Sequence, residues 1–360
     1  MKKTILLVCR LADHTLRENV LLPLLESGEV AHIHVLRDTP ADTMDGRVSY
    51  LCPERESRSV LRHIGKVRRG VAAVRRCGAD AIIGVLNTPH GYIGRLIAWL
   101  TGKPYIHMTI AGHREFWVDG KCLEKLNLWA LGSSAALTVT GSRTKAYLTG
   151  HGIAPEKLFI LPNLPDEAFA RVTGNGGPRQ YDIVSFSRID RNKNLILLVE
   201  ALARIKGKYA PRVAVAGDGD CLPAVRAAAR ERGVEGMMDF LGYVSGFENK
   251  VKLLTDSRIF VSCSKGEGFP VSLLEAMSCG CVPVTSDVGD IVDIVHHGEN
   301  GLVFTDTDDA GELASCLETL LSDEDRRLAM QAAGSSLKGT FSAAANGQIW
   351  SRVLRYATKG

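Results

Sequence analysis

Short apolar runs, alternating with segments of helical periodicity, recur along almost all of this 360-residue chain. In the first half the runs are TILLVC, AHIHVL, AIIGVL, YIHMTI, ALTVTG and LFILP; in the second they are DIVSFS, RVAVAG, MDFLGYV, IFVSC and VPVTS. Between them lie segments such as LILLVEALARIK and LPAVRAAARERG, whose apolar residues return at helical spacing. A strand without polar alternation is buried on both faces, as in a parallel sheet covered by helices. The pattern therefore predicts an α/β fold of two doubly wound, Rossmann-like domains facing each other across a cleft. The break between them falls at RVTGNGGPRQ, residues 171–180, which is Gly-rich, holds a Pro and has no apolar run. The expected organisation is a first domain over 1–172, a second over 173–340, and a C-terminal helix, 341–360, returning to the first.

Several classes of function drop out on composition. No apolar run approaches the roughly 20 residues of a membrane-spanning helix. The opening MKKTILLVCRLAD has an apolar core of only Ile5 to Val8, so Thr4–Cys9 reads as a first buried strand rather than a secretory leader. Nine scattered cysteines are not a disulfide framework, and Cys279 and Cys281 have no second Cys or His pair at zinc spacing. They read as small buried residues in a reducing, cytoplasmic protein. A net charge of +4 does not suggest a nucleic-acid partner.

In doubly wound sheets, ligands bind beyond the carboxyl ends of the strands. Five loops rich in Gly, Ser and charge follow strands of the second half: SFSRIDRNKN, GDGD, GYV, SKGEGFP and SDVGD. They describe a site for a polar, anionic ligand. Arg188 and Lys193 share the first loop and offer a planar fork and a point charge to a diphosphate. Pro270 suits the first position of a helix whose N–H groups, at Val271 and Ser272, would add an anion site. Glu267, just before it, would repel an anion, so its natural partner is a sugar hydroxyl. Glu275, with seven residues between it and Glu267, could take the two hydroxyls of a ribose. Taken alone, these residues also fit plainer readings: a solvated loop face for Arg188 and Lys193, an ordinary exposed helix glutamate for Glu275.

Nearly the whole chain resembles the retaining, nucleotide-sugar-dependent glycosyltransferases of family four, which have the GT-B fold. EGFPVSLLEAMSCGCVPV resembles the family's paired-glutamate signature, and SFSRIDRNKNLILLVEA the segment that holds the donor diphosphate. VAVAGDGD, FLGYV, VGDIVDIVHHGENGLVF and TVTGSRTKAYLTGHGIAPEKLFILPNLPDEAF resemble further family segments, in the right order between residues 133 and 304. The resemblance implies roles. Arg188 and Lys193, with Ser187 and Gly217 beside them, would hold the phosphates, and Glu267 the donor sugar. Gly268, Phe269, Pro270 and Val271 would shape the pocket, Glu275 would hold the ribose, and Tyr243 and Val244 would lie near the base. Asn163 and Asp166 would shape the interdomain hinge. The implied reaction is sugar transfer from a UDP- or GDP-sugar to a glycan, lipid-linked or small-molecule hydroxyl acceptor, in cell-envelope glycan or glycolipid synthesis, with no metal or other cofactor.

The chain also departs from the family. Ser187 stands for a usual Gly, Asp290 for the second Gly of a Gly pair, and Asp293 for the Glu that follows. In MTIAGHREFW, Ala111 takes the place of a family histidine, leaving His113 one residue past the Gly. His113, His90 (in NTPHGYIG), Arg143 and Asn163 are the candidate acceptor or sugar contacts of the first half. Two alternatives stand beside the transferase: a non-catalytic sugar-nucleotide-binding partner protein, and a phosphorylase or epimerase on the same fold. A nicotinamide dehydrogenase is disfavoured, because GDGDCL puts Leu222 where the third Gly of its fingerprint belongs. Finally, RSVLRHIGKVRRGVAAVRRCGAD carries Arg58, Arg62, Lys66, Arg68, Arg69, Arg75 and Arg76 with no acid before Asp80. At about 100° per residue, Val60, Ile64, Val67, Val71 and Val74 form one stripe, expected to pack on the sheet. Arg58, Arg62, Arg69 and Arg76 form the opposite face, which would be solvated or would rest peripherally on the anionic inner face of a membrane.

Overall fold

The structure, a computed structural model, describes residues 1–41, 45–52, 59–112, 121–172 and 177–359. The chain forms two compact units: Met1–Leu164 with Phe341–Gly360, and Pro165–Thr340. The first holds β1 (Lys3–Val8), β2 (Val30–Leu36), β3 (Val48–Leu51), β4 (Ala81–Val85), β5 (Tyr105–Met108), β6 (Ala136–Val139) and β7 (Leu158–Ile160). The second holds β8 (Tyr181–Phe186), β9 (Val213–Ala216), β10 (Met238–Gly242), β11 (Ser257–Ser262), β12 (Val282–Ser286) and β13 (Leu302–Phe304). Every apolar run named above contains a strand. The two strands not anticipated, β3 and β13, are edge strands of four and three residues. Runs that short, half polar in VSYL, carry too little pattern to stand out.

In the first unit the strand order is β3-β2-β1-β4-β5-β6-β7, and all the pairings are parallel. The order reverses between β1 and β4, the switch point where doubly wound sheets take ligands. Alternation along β1 divides the core. Ile5 and Leu7 join one cluster with Trp350, Val353 and Leu354 of the C-terminal helix Ala343–Ala357. Leu6 and Val8 join another with Val74, Ile93 and Ile97 on the opposite face. The C-terminal helix is held by more than apolar contact: Asn346 Nδ2 donates to the Pro162 carbonyl (2.8 Å), and Arg355 pairs with Glu29 (2.7 Å).

The helix Ser59–Cys77 corrects one expectation. Among the described residues its buried side chains are Lys66, Ala73 and Val74, with Gly70 between them. Val67 and Val71 are only half-buried and Ile64 is exposed; Arg58 and the Val60 side chain lie outside the described residues. Val67, Val71 and Val74 do pack on the core as expected, and two contacts set how the helix sits there, with Ile64 left out. A Cβ at Gly70 would overlap Ile97 Cδ1, so this glycine lets the helix sit close on its neighbour Tyr92–Thr101. Lys66, counted above among the basic residues, is drawn inward to an ion pair with the half-buried Asp38 (2.7 Å).

In the second unit the order is β10-β9-β8-β11-β12-β13, again parallel throughout, with its reversal between β8 and β11. Its core packs β-strand residues such as Ile183, Val215 and Ile259 against Leu198, Leu202, Leu313 and Leu317 of flanking helices. The stretch just after Leu164 packs here too. Phe169 is fully buried, its ring edge-on to Phe247 at 5.0 Å between centroids.

Candidate active site

The loops that follow β8, β9, β11 and β12 are bonded to one another at the carboxyl edge of the second sheet. After β8, the Ser187 N–H donates to the Ala216 carbonyl (3.1 Å) and the Ile189 N–H to the Asp218 carbonyl (2.9 Å). Gly217 has φ +142°, and a Cβ there would drive into the Ser187 carbonyl. Only glycine lets these two loops close so tightly. Asn192 then ties the β8 loop to the β11 loop: its Nδ2 donates to the Gly266 carbonyl (2.8 Å), and its own carbonyl accepts from Lys265 N–H (2.8 Å). The β12 loop presses on the same place. Gly289, at φ +60°, lies where a Cβ would overlap the carbonyls of Glu267 and Gly268, and Asp290 N–H donates to the Gly268 carbonyl (2.8 Å).

This scaffold brings together side chains 74 positions apart. Lys193 Nζ lies 2.5 Å from Glu267 Oε1, and both side chains are mostly buried. Arg188 instead turns to Asp190, Nε to Oδ2 at 2.8 Å, and remains largely exposed. Asp190 organises the loop through its other oxygen, which accepts from Lys193 N–H (3.1 Å). Burial works to raise the Asp190 pKa, but these hydrogen bonds outweigh it and hold the carboxyl below its ordinary value. Neither the Lys193–Glu267 pair nor the part played by Asp190 follows from loop spacing alone.

The helix after Glu267 spans Val271–Ser278. Pro270 is its N-cap residue, with extended backbone (φ −77°, ψ 99°), rather than its first helical residue, and no side chain caps the helix. Gly268 is half-buried, Phe269 and Pro270 are buried, and Val271 is half-buried. Glu275 is not an ordinary surface glutamate: it is 6% exposed, and Lys250 Nζ reaches its two oxygens at 3.1 and 3.4 Å. Lys250 also lies over the rings of Phe169 (5.8 Å) and Phe186 (5.5 Å). No motif pointed to Lys250, which lies 25 positions before its partner. Tyr243 and Val244 follow β10 at the same sheet edge, Tyr243 with 79% of its surface exposed.

Asp218, Asp306, Asp308 and Asp309 serve in turns and surface ion pairs. Asp218 Oδ1 accepts from Gly219 N–H (2.8 Å). Asp306 Oδ1 accepts from the N–H groups of Asp308 (2.8 Å) and Asp309 (2.9 Å), while Asp308 pairs with Lys265 (2.5 Å) and Asp309 with Arg204.

The candidates of the first unit do not form one cluster among the described residues. His113 lies outside them. Arg143 sits near the start of the helix Ser142–Gly150, half-buried. Asn163 donates to the Ile110 carbonyl (2.9 Å). His90, beyond β4, is buried with Lys66, whose ammonium donates to His90 Nε2 (2.9 Å) and forms an ion pair with Asp38, just past β2 (2.7 Å). Burial pushes the His90 imidazole down to about 4, and the Lys66 charge adds to the effect. Burial opposes the Asp38 carboxylate, but the hydrogen bond and charge of Lys66 outweigh it and lower its pKa. Asp38 and His90 thus flank β1 at the switch point, with His90 Nε2 fixed as the acceptor and the ring proton on Nδ1.

Comparison with known proteins places these features. The family described as Glycosyl transferases group 1 matches residues 165–336, almost the whole second unit. A component of the phosphatidylinositol N-acetylglucosaminyltransferase of Arabidopsis thaliana is 28% identical over 48% of this chain and 39% of its own length. A Campylobacter jejuni alpha-1,4-N-acetyl-D-galactosaminyltransferase, named for a diphospho-undecaprenol-linked substrate, is 28% identical over 53% of this chain and 52% of its own. The chain thus spans about a third to a half of the length of the curated relatives it matches. Among solved structures, Anabaena HepE in complex with UDP superposes with a TM-score of 0.74 at 16% identity, covering 98% of this chain and 99% of that one. The fold is that of the GT-B glycosyltransferases, and residues 165–336 match the glycosyl transferases group 1 family.

Proposed function

We propose that the chain is a retaining, metal-independent glycosyltransferase that moves a sugar from a UDP- or GDP-sugar to a hydroxyl acceptor, in the synthesis of a cell-envelope glycan or glycolipid at the cytoplasmic side. The observation that carries this reading is the meeting of Lys193 and Glu267 beside the uncapped helix start at Val271. A cation and oriented N–H groups suit a diphosphate; a carboxylate a few ångströms away suits the hydroxyls of the sugar attached to it. HepE, crystallised with UDP, and the Campylobacter relative's lipid-linked substrate support the donor and acceptor classes.

Each residue then has a task. Lys193 and Arg188 neutralise the charge that grows on the departing nucleoside diphosphate, so that no cation is required. Glu267 leaves its pairing with Lys193 to hold donor-sugar hydroxyls, with Gly268 to Val271 lining the pocket. Glu275, paired with Lys250, accepts from the ribose hydroxyls, and Tyr243 and Val244 lie by the base. Asn163, Arg143, His90 and His113 belong to the unit that takes the acceptor. In the reaction the bond from the anomeric carbon to the phosphate oxygen breaks, and the acceptor oxygen bonds to that carbon on the same face. The acceptor proton passes to the leaving diphosphate.

The test is a screen of nucleotide sugars, read as acceptor-dependent nucleoside diphosphate release. With the active donor, Arg188→Ala and Lys193→Ala are each expected to lower kcat by about 100-fold or more, as loss of one charge-stabilising donor does, with melting curves unchanged. Chelator should leave the parent rate unaltered. Nucleotide binding without turnover of any donor would favour a non-catalytic partner protein, and loss in chelator restored by manganese would end the metal-independent reading.

A further inference from the structure

The helix Phe247–Thr255 follows the loop that carries Tyr243 and Val244, and its start is tied to that loop. The Lys250 N–H donates to the Gly246 carbonyl (3.2 Å), and Asn249 Nδ2 to the Ser245 carbonyl (2.9 Å). Leu253 and Leu254 of this helix are buried. At about 100° per residue, Lys250 falls within about 60° of both, on the inward face. A surface lysine keeps its ammonium in water; here only 29% of the side chain is exposed. Nζ lies 3.1 and 3.4 Å from the two carboxylate oxygens of Glu275, whose side chain is 8% exposed. The same ammonium lies over the rings of Phe186 and Phe169. Phe186 ends β8, immediately before Ser187 and Arg188. Phe169 belongs to the short helix Glu167–Arg171 and is fixed edge-on against Phe247, one turn before Lys250. Contacts from three other elements thus hold the ammonium in place.

Stability alone does not explain this pair. Apolar residues of similar size in place of a buried ion pair are often neutral or stabilising, and both positions face inward. The location of the pair explains it better. Glu275 lies about 6 Å along the helix axis from Val271, the helix start assigned above to the diphosphate. A bare carboxylate that close repels an anionic nucleotide, and the Lys250 charge offsets the repulsion. A carboxylate has about four lone-pair sites, and the ammonium meets one on each oxygen at most, so hydroxyl donors can share the group with it. Such hydrogen bonds weaken steeply when misaligned. A cation that touches both oxygens, itself fixed by two rings, sets the plane and direction of the carboxylate.

We propose that Lys250 is a positioning residue of the nucleotide site: it orients the Glu275 carboxylate on the hydroxyls of a ribose and so sets a preference for ribonucleotides over deoxyribonucleotides. Lys250 acts through Glu275. The proposal rests on the reading of Glu275 as the ribose ligand and names the residue that makes that carboxylate selective.

The experiment is calorimetry of the full chain with UDP, GDP and their 2′-deoxy forms. The parent should bind its nucleotide about 10- to 100-fold more tightly than the 2′-deoxy form, as one hydrogen bond to a charged group gives. Lys250→Met keeps an unbranched stem against Phe169 and Phe186 but removes the charge. Both forms should then bind more weakly, and the ratio between them should shrink about tenfold. Lys250→Arg, which still offers Glu275 a cation, should keep most of the ratio. Melting curves check the fold; if Lys250→Met does not fold, Lys250→Gln, whose amide still donates to Glu275 without charge, takes its place and should also shrink the ratio. A lysine that only supports the fold would weaken both forms alike. So a parent that discriminates, with a Lys250→Met or Lys250→Gln variant that discriminates equally, would overturn the proposal and leave the ribose reading standing. A parent that binds no nucleotide or treats the two forms alike, or a Glu275→Gln variant that keeps the full ratio, would overturn the ribose reading and the proposal with it.

Discussion

Glu267→Gln offers the sharpest test of how the second unit handles its donor. Glu267 pairs with Lys193 at 2.5 Å, with side chains 22% (Lys193) and 16% (Glu267) exposed. An incoming diphosphate has to take Lys193 over from that carboxylate and also meets its negative charge. A fully exposed pair of this kind contributes about 0–1 kcal/mol, and removing one partner from a fully buried pair costs about 3–5 kcal/mol. This pair is between the two, so about 1–2 kcal/mol is a fair measure of what the nucleotide must overcome. Glutamine keeps the size and a hydrogen-bonding carbonyl but removes the charge. Free UDP or GDP should then bind about 5- to 30-fold more tightly to the variant by calorimetry, while sugar transfer falls because the hydroxyl acceptor is weakened. Glu275→Gln should do the opposite to the nucleotide and loosen it. If Glu267→Gln weakens the free nucleotide, Glu267 does not compete for Lys193, and the assignment of one group to phosphate and the other to sugar is wrong.

Two further outcomes follow from close contacts and from burial. Gly289→Ala puts a Cβ into the carbonyls of Glu267 and Gly268 at a backbone conformation disfavoured for alanine; the cost should be about 2 kcal/mol or more, read as a Tm about 4–8 °C lower, with transfer reduced by displacement of Glu267. His90 is held neutral, its pKa lowered from 6.5 to about 4 by burial and by Lys66. The unfolded chain therefore binds the proton more readily, and stability fully present above pH 6.5 is lost as pH falls through 4, about 3 kcal/mol from this group. His90→Asn, whose side-chain oxygen can still accept from Lys66, should flatten that part of the urea-unfolding profile against pH; an unchanged profile would refute it.

Much of the fold is legible in the amino-acid sequence. Runs such as TILLVC and AIIGVL have no polar alternation, as in strands covered on both faces; that physics is local and survives in the sequence. The loops that carry Arg188, Lys193, Glu267 and Gly217 were legible for the same reason, because a doubly wound sheet sends ligand-binding residues to the carboxyl ends of its strands. β3 and β13 were not, since three or four residues at a sheet edge carry almost no period.

Tertiary structure decided what depends on residues far apart in the chain. A helical wheel yields the stripe from Val60 to Val74 but not the rotation of the helix about its axis, which is set by Gly70 against Ile97 and by Lys66 reaching Asp38 and His90. For the same reason Lys193 and Glu267 appear from sequence as a phosphate ligand and a sugar ligand, each in its own loop; only the packing of Asn192 on Gly266 and of Gly289 on Glu267 makes them one ion pair. Glu275 could be an exposed helix glutamate until Lys250 and the helix packing bury it. Side-chain type and period are properties of a few neighbouring residues, whereas burial, charge pairing and the direction a helix faces are settled by what lies across the sheet edge.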